Sequence, residues 1–152
     1  MISFFVNPDD SSIPAVFGSL GDNAIGVIGE SVVAANLDGN WVGSLTEVAN
    51  DDGYWLKVFS GTDFETQGSP SGSISYALNS GNNLISYPYA IAQNIDALSG
   101  SGLFGIAGEG VAAINVNGSW FGSLETLEGG SGYWFVATEA FDFSYNEPSS
   151  DE

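Results

Sequence analysis

The sequence predicts an all-β or β-rich fold made of two tandem, pseudo-symmetric small β-units, each with one short helix. Three observations predict it. First, four blocks recur at one constant offset. Gly26-Val27-Ile28-Gly29-Glu30 returns as Gly105-Ile106-Ala107-Gly108-Glu109, and Asp38-Gly39-Asn40-Trp41-Val42-Gly43-Ser44-Leu45 as Asn117-Gly118-Ser119-Trp120-Phe121-Gly122-Ser123-Leu124. Gly53-Tyr54-Trp55 returns as Gly132-Tyr133-Trp134 and Asp63-Phe64 as Asp142-Phe143, each 79 positions later. A gapless repeat of this kind marks a duplicated supersecondary unit. Second, Asp38-Gly39 and Asn117-Gly118 stand between apolar runs, the sequence signal of a type I′ hairpin. Third, short apolar runs are separated throughout by Gly, Asn, Asp and Ser clusters, which punctuate strands.

The elements follow in order. Ser12 is placed to cap a helix over Ile13-Pro14-Ala15-Val16-Phe17, with Pro in the first turn, where its missing N–H is harmless. Asn94 is its counterpart, capping Ile95-Asp96-Ala97-Leu98. A two-residue hairpin loop sets Leu37 opposite Asn40, Asn36 opposite Trp41, Ala34 opposite Gly43 and Val32 opposite Leu45. In the second unit it sets Asn115 opposite Trp120, Ala113 opposite Gly122 and Val111 opposite Leu124. The turn clusters Asn50-Asp51-Asp52-Gly53 and Gly129-Gly130-Ser131-Gly132 launch Tyr54–Phe59 and Tyr133–Ala137. These strands are apolar on both faces and read as sandwiched. A last short strand is expected near Asp63-Phe64 and Asp142-Phe143.

The organisation is then 1–67 first repeat, 68–73 linker, 74–145 second repeat and 146–152 a disordered acidic tail. The second repeat opens with two apolar runs, Ile74–Leu78 and Leu84–Tyr87. The first, at Met1-Ile2-Ser3-Phe4, matches only the latter, so it lacks its first strand. A strand from the second repeat or from neighbouring polypeptide is expected to complete it, and the chain reads as a piece of a longer protein. Units of about 70 residues without disulfides are marginal alone, so the two are expected to share apolar surface.

Composition bounds function. There are 19 acidic residues against one basic residue, Lys57, with no His and no Cys, for a net charge of −18. Such a surface repels phosphate backbones and anionic membranes, so neither nucleic acid nor membrane is an expected partner. No run is long enough to cross a bilayer as a helix. The acidity reads first as a solvated surface suited to a salty medium.

The segments Asn83-Leu84-Ile85-Ser86-Tyr87-Pro88-Tyr89, Gly108-Glu109-Gly110-Val111-Ala112-Ala113, Trp120-Phe121-Gly122-Ser123-Leu124 and Gly132-Tyr133-Trp134 together resemble a repeat of marine bacteriophage structural proteins and secreted bacterial surface proteins. The first unit departs from that pattern at Ser31, where Gly is expected, and at Phe5, where Pro is expected. The resemblance implies a non-enzymatic structural or adhesion module, in a virion or outside the cell. Its partners would be other protein segments of a larger polypeptide or assembly.

Catalysis has few candidates. Without His or Cys, neither imidazole base nor thiolate chemistry is available. A carboxylate pair for glycoside hydrolysis would fall to Glu30 and Glu109, the glutamates matched across repeats. Each follows a Gly, which also reads as a bend beside a strand. No catalytic residue, metal ligand or cofactor is therefore assigned. Calcium would fall to Asp9-Asp10 or Asn50-Asp51-Asp52, but neither has EF-hand spacing. The counterpart of the second cluster, Gly129-Gly130-Ser131, carries no acid. Trp41 with Asn36, and Trp120 with Asn115, form the one candidate ligand site: an indole beside an amide could bind a glycan, in a carbohydrate-binding module. Otherwise the indoles fill the core. Burial of Trp41 and Trp120 is the expectation, and more firmly still of Trp55 and Trp134.

Overall fold

The computed structural model describes residues 1–98 and 102–148. In the first unit the elements are β1 (Val6–Pro8), α1 (Ile13–Phe17), a 3-10 stretch (Gly18–Asn23), β2 (Ala24–Gly29), β3 (Val32–Leu37), β4 (Asn40–Gly43) and β5 (Trp55–Val58). β6 (Gly68–Pro70) follows. The second unit has β7 (Tyr76–Leu78), β8 (Gly81–Ser86), β9 (Gln93–Asn94), a 3-10 turn (Ile95–Leu98), β10 (Leu103–Gly108), β11 (Val111–Val116), β12 (Ser119–Gly122), β13 (Thr126–Leu127), β14 (Gly132–Ala137) and β15 (Phe141–Phe143). The fold is β-rich, as expected, and every named strand pair is antiparallel.

Two main sheets carry the repeat. One has the order β4-β3-β2-β5, the other β12-β11-β10-β14-β8. Gly26 pairs with Ala35 and Gly105 with Ile114; Asn36 pairs with Trp41 and Asn115 with Trp120. Each sheet has a register shift at the start of its β2 or β10 strand. Asp38 and Gly39 both have positive φ, as do Asn117 and Gly118, so both hairpins close with the type I′ turn that the dipeptides demand.

Pairing in both hairpins stops at Gly43 or Gly122. Beyond it Leu45 N donates to the Val33 carbonyl and Leu124 N to that of Ala112. The expected partners Val32 and Val111 are therefore missed by one residue. Gly43 and Gly122 sit at φ 135° and 145°, and a Cβ there would stand 2.2 Å from the Val33 or Ala112 carbonyl oxygen. Only glycine permits this close bend.

The helices differ between units. α1 buries Ile13, Val16 and Phe17, a spacing that fits α geometry. The counterpart buries Ile95 and Leu98, three apart, and is a single 3-10 turn. Ser12 lends no side-chain cap, whereas Asn94 Oδ1 accepts from Asp96 N at 2.8 Å. Both segments are tied to the following loop in the same way, Ile13 N to Thr46 O and Ile95 N to Glu125 O at 3.0 Å. The linker-like stretch is not slack: β6 pairs with β1 from Val6–Pro70 to Pro8–Gly68. Of the polar tail, 149–152 lie outside the described residues, and the Asn146 carbonyl accepts from Gln93.

Each unit has its own core. The first gathers Phe4, Phe17, Val27, Ala34, Leu45 and Tyr54. The second gathers Tyr76, Tyr87, Ile106, Leu127, Phe135, Phe143 and Tyr145. Between them the backbones cross. Ile2 bridges both Tyr54 of its own unit and Ser131 of the other, while Ile85 pairs with Tyr133 and also bridges Asp52. Ser131 and Asp52 are themselves repeat counterparts, so each unit lends an edge to the other.

Candidate functional site

The repeated motifs define the candidate site, and each side chain in them has a traceable role. In Trp-x-Gly-Ser-Leu, the Trp lies on the inner face of the sheet. Trp41 is half-buried, packed on the first core with its ring 6.1 Å from Phe17. Trp120 is half-buried on the second core, and its indole N–H is buried without a partner among the described residues. The following residue points outward, with Val42 48% and Phe121 59% exposed. Ser44 Oγ accepts from Val33 N and Ser123 Oγ from Ala112 N, both at 3.2 Å. Leu45 and Leu124 are core residues.

The amides facing the indoles are engaged by the backbone. Asn36 Nδ2 donates to the carbonyls of Gly21 (3.2 Å) and Ala24 (2.9 Å), and its Oδ1 accepts from Gly39 N at 2.9 Å. Asn115 Nδ2 donates to the Leu103 carbonyl at 3.1 Å and its Oδ1 accepts from Gly118 N at 2.9 Å. The structure thus places Trp41 beside Asn36 and Trp120 beside Asn115, as the register expectation had it. It also gives each amide a turn-stapling role that a sequence match alone does not reveal.

In Gly-Tyr-Trp the glycine is the crossing point. A Cβ on Gly132 would lie 2.7 Å from the Ile2 carbonyl oxygen, and one on Gly53 2.9 Å from that of Ile85. The tyrosines are buried, and their hydroxyls accept from Ala49 N and Glu128 N, both at 2.8 Å. Burial raises both phenols, Tyr54 to about 12. The Trp that follows turns outward. Trp55 is 39% exposed, in a cross-strand row with Ile28 and Val33, and Trp134 is half-buried. The expectation that these two are the most deeply packed indoles is corrected here: the strands are largely apolar on both faces, but among the described residues no layer covers the outer one.

Glu30 and Glu109 do not form a free pair. Glu30 Oε2 accepts from Leu84 N at 3.1 Å, and Glu109 Oε2 takes the Met1 amino group at 2.6 Å. Each thus reaches across to the opposite unit, Glu30 to its edge strand β8 and Glu109 to its first residue. Beside Glu30, burial and then repulsion from Asp51 and Glu30 raise the Asp52 carboxyl to about 6, against a smaller opposing effect of Tyr54. Asp10 accepts from Ser12 N at 3.0 Å, and Ser12 holds that carboxyl below its ordinary value. Among the described residues, no three carboxylates gather into a group that could hold a metal ion, and no helix is long and apolar enough to cross a membrane.

Comparison of the chain with protein-family models, curated proteins and solved structures finds no match.

Proposed function

We propose that the chain is a non-enzymatic structural or adhesion module, built to pack against other protein segments of a larger assembly such as a virion or a secreted surface protein. One observation carries this reading: the repeated polar side chains serve the backbone. Asn36 and Asn115 staple turns, Ser44 and Ser123 bind strand amides, Tyr54 and Tyr133 bind loop amides, and Glu30 and Glu109 tie the units together. What duplication preserved is a scaffold. On its outside each main sheet presents apolar residues to water. Ile28, Val33, Val42 and Trp55 do so on one, and Phe104, Ile114 and Phe121 on the other. Contiguous exposed apolar surface on so acidic a chain marks a contact face, and the like face of another unit is its natural complement.

A second reading, glycan binding, has one observation in its favour. The unpartnered indole N–H of Trp120 stands beside a groove of about 290 Å³ that Asn94, Asp96 and Glu125 also line.

Two measurements separate these readings. The structural one expects a blank glycan array. It also expects a sedimentation mass that rises with protein concentration at high salt, where the screening length falls to about 3 Å at 1 M. Phe121→Asp and Val42→Asp should abolish that rise. A defined glycan bound by the wild type and lost in Trp120→Phe would overturn it.

A further inference from the structure

We infer that the first unit accepts an added strand–turn–strand segment from a partner polypeptide, on the open edge of β5 and in the groove beside Phe4 and Phe64. The inference rests on the structural reading above and names the partner's chemistry. The second unit supplies the template. There β8 covers the edge of β14, with Tyr133 opposite Ile85, Phe135 opposite Asn83 and Ala137 opposite Gly81. β7 then pairs with β15 from Phe141–Leu78 to Phe143–Tyr76. In the first unit only the Ile2–Tyr54 bridge repeats this. Leu56, Lys57 and Val58, the counterparts of Phe135, Val136 and Ala137, meet no strand on that edge among the described residues. Residues 62–64, the counterpart of β15, form no strand.

The side chains agree. Phe135 is fully buried, whereas Leu56 is half-buried; Phe143 is buried, whereas Phe64 is half-buried. In the second unit the slot is filled by Tyr76 and Tyr145, whose rings lie 5.6 Å apart, Tyr76 also 6.2 Å from Phe143. The counterpart of Tyr145 is Thr66. Around it the first unit keeps a groove of about 380 Å³, lined by Ile2, Phe4, Phe5, Phe64 and Thr66 among others. The missing pieces are thus an aromatic ring and a strand.

The template also states what the occupant must be. Segment 74–83, Ile-Ser-Tyr-Ala-Leu-Asn-Ser-Gly-Asn-Asn, carries no charge. Asn83 holds the turn between its two strands, donating to Asn79 O and accepting from Asn79 N, while its amide also reaches Phe135 O at 3.2 Å; the strands pair outward, β7 with β15 and β8 with β14, and not with each other. A neutral, aromatic-bearing strand–turn–strand segment suits an apolar groove on a chain of charge −18. Lys57, the one basic side chain, sits on the open edge. Edge-to-edge pairing of two identical copies would bring like charges together there, which charged edge residues commonly prevent. That favours a dissimilar strand over a second copy of β5.

The test uses the full chain and a synthetic peptide of residues 74–83. One peptide is expected to bind per chain, with hydrogen exchange slowed at the amides of Leu56–Val58. At a hundredfold excess over Kd the melting temperature should rise by roughly 5–11 °C. A Tyr-to-Ala peptide at the position of Tyr76 should bind at least about tenfold more weakly. Binding equal to that of a scrambled peptide, or protection confined to other strands, would overturn the inference. So would a chain dimer that protects Leu56–Val58 and is not displaced by the peptide, since a second copy would then hold the edge. If the peptide fails while arrays stay blank and the salt-dependent mass increase persists, the strand-accepting site alone falls. A glycan bound through Trp120 would instead remove the structural reading itself.

Discussion

Gly132→Ala tests the crossing of the two units most directly. An alanine in a strand would ordinarily stabilise by about 0.4–1 kcal/mol, because glycine has more freedom to lose on folding. At Gly132 the new Cβ would meet the Ile2 carbonyl oxygen at 2.7 Å, the Gly53 Cα at 3.2 Å and the Ile2 carbonyl carbon at 3.3 Å. All three are backbone atoms, fixed by the Gly132 N–Met1 O and Ile2 N–Tyr54 O hydrogen bonds. The backbone must therefore shift, and overpacking of this kind costs about 1–3 kcal/mol. For a chain of this size that lowers the melting temperature by roughly 2–12 °C. Gly53→Ala should cost less, because one of its close neighbours at 2.9 Å is the movable end of the Leu84 side chain. Gly61→Ala is the control: its Cβ would meet nothing within 4 Å. Circular-dichroism melts of the three variants decide the matter. If Gly132→Ala melts at or above the wild-type temperature, or shifts no more than Gly61→Ala, the crossing does not carry the load assigned to it.

Three further outcomes are expected. Ser31 holds φ 66° where its counterpart Gly110 holds 74°, so Ser31→Gly should stabilise by about 0.5–1 kcal/mol, the left-handed penalty less glycine's unfolded-state freedom, read as a higher urea midpoint. Asp52 titrates near 6 in the folded chain against an ordinary 3.8. Between these values the folded state keeps a proton that the unfolded state has released, so stability should rise as pH falls from 7 toward 4. Asp52→Asn should remove that slope between pH 7 and 5, an effect on the order of 1 kcal/mol or less, since the side chain still meets water; an unchanged pH profile of melting would refute it. Raising sodium chloride should raise the melting temperature by screening the charge of −18. Calcium at equal ionic strength should add nothing; a jump at low calcium would mean that Asp9-Asp10 or Asp51-Asp52 binds the ion.

Local chemistry made the hairpins legible. Asp38-Gly39 and Asn117-Gly118 determine turn type, turn type determines register, and register puts Asn36 beside Trp41 before any coordinate is known. The next step up was not legible. That Asn36 faces Trp41 follows from a two-residue loop, but that its amide holds Gly21 and Ala24 depends on a 3-10 stretch with no clear sequence signal. The Gly43 bend displaced Leu45 by one residue, because a pairing rule counts residues and cannot see a carbonyl 2.2 Å away. Trp55 was misplaced for a different reason: a largely apolar outer face reads as covered, and among the described residues nothing covers it. The glutamates were legible as a matched pair, but their partners, Leu84 and Met1, lie across the unit boundary, where periodicity says nothing.

The crossing also orders events at the ribosome. Gly53 and Tyr54 emerge early, yet Ser131 and Gly132, which share Ile2 with Tyr54, lie almost a full repeat later, Gly132 79 residues after Gly53. At about 5–20 residues per second that interval is roughly 4–16 s, far longer than the microseconds a hairpin needs to close. The first unit must therefore wait, hairpin formed but half its edge unclaimed, until its twin is made. During that wait Ile2 and Gly53 are exposed to any other nascent chain carrying the same repeat. The charge of −18 opposes such a mispairing at low salt until the twin edge arrives.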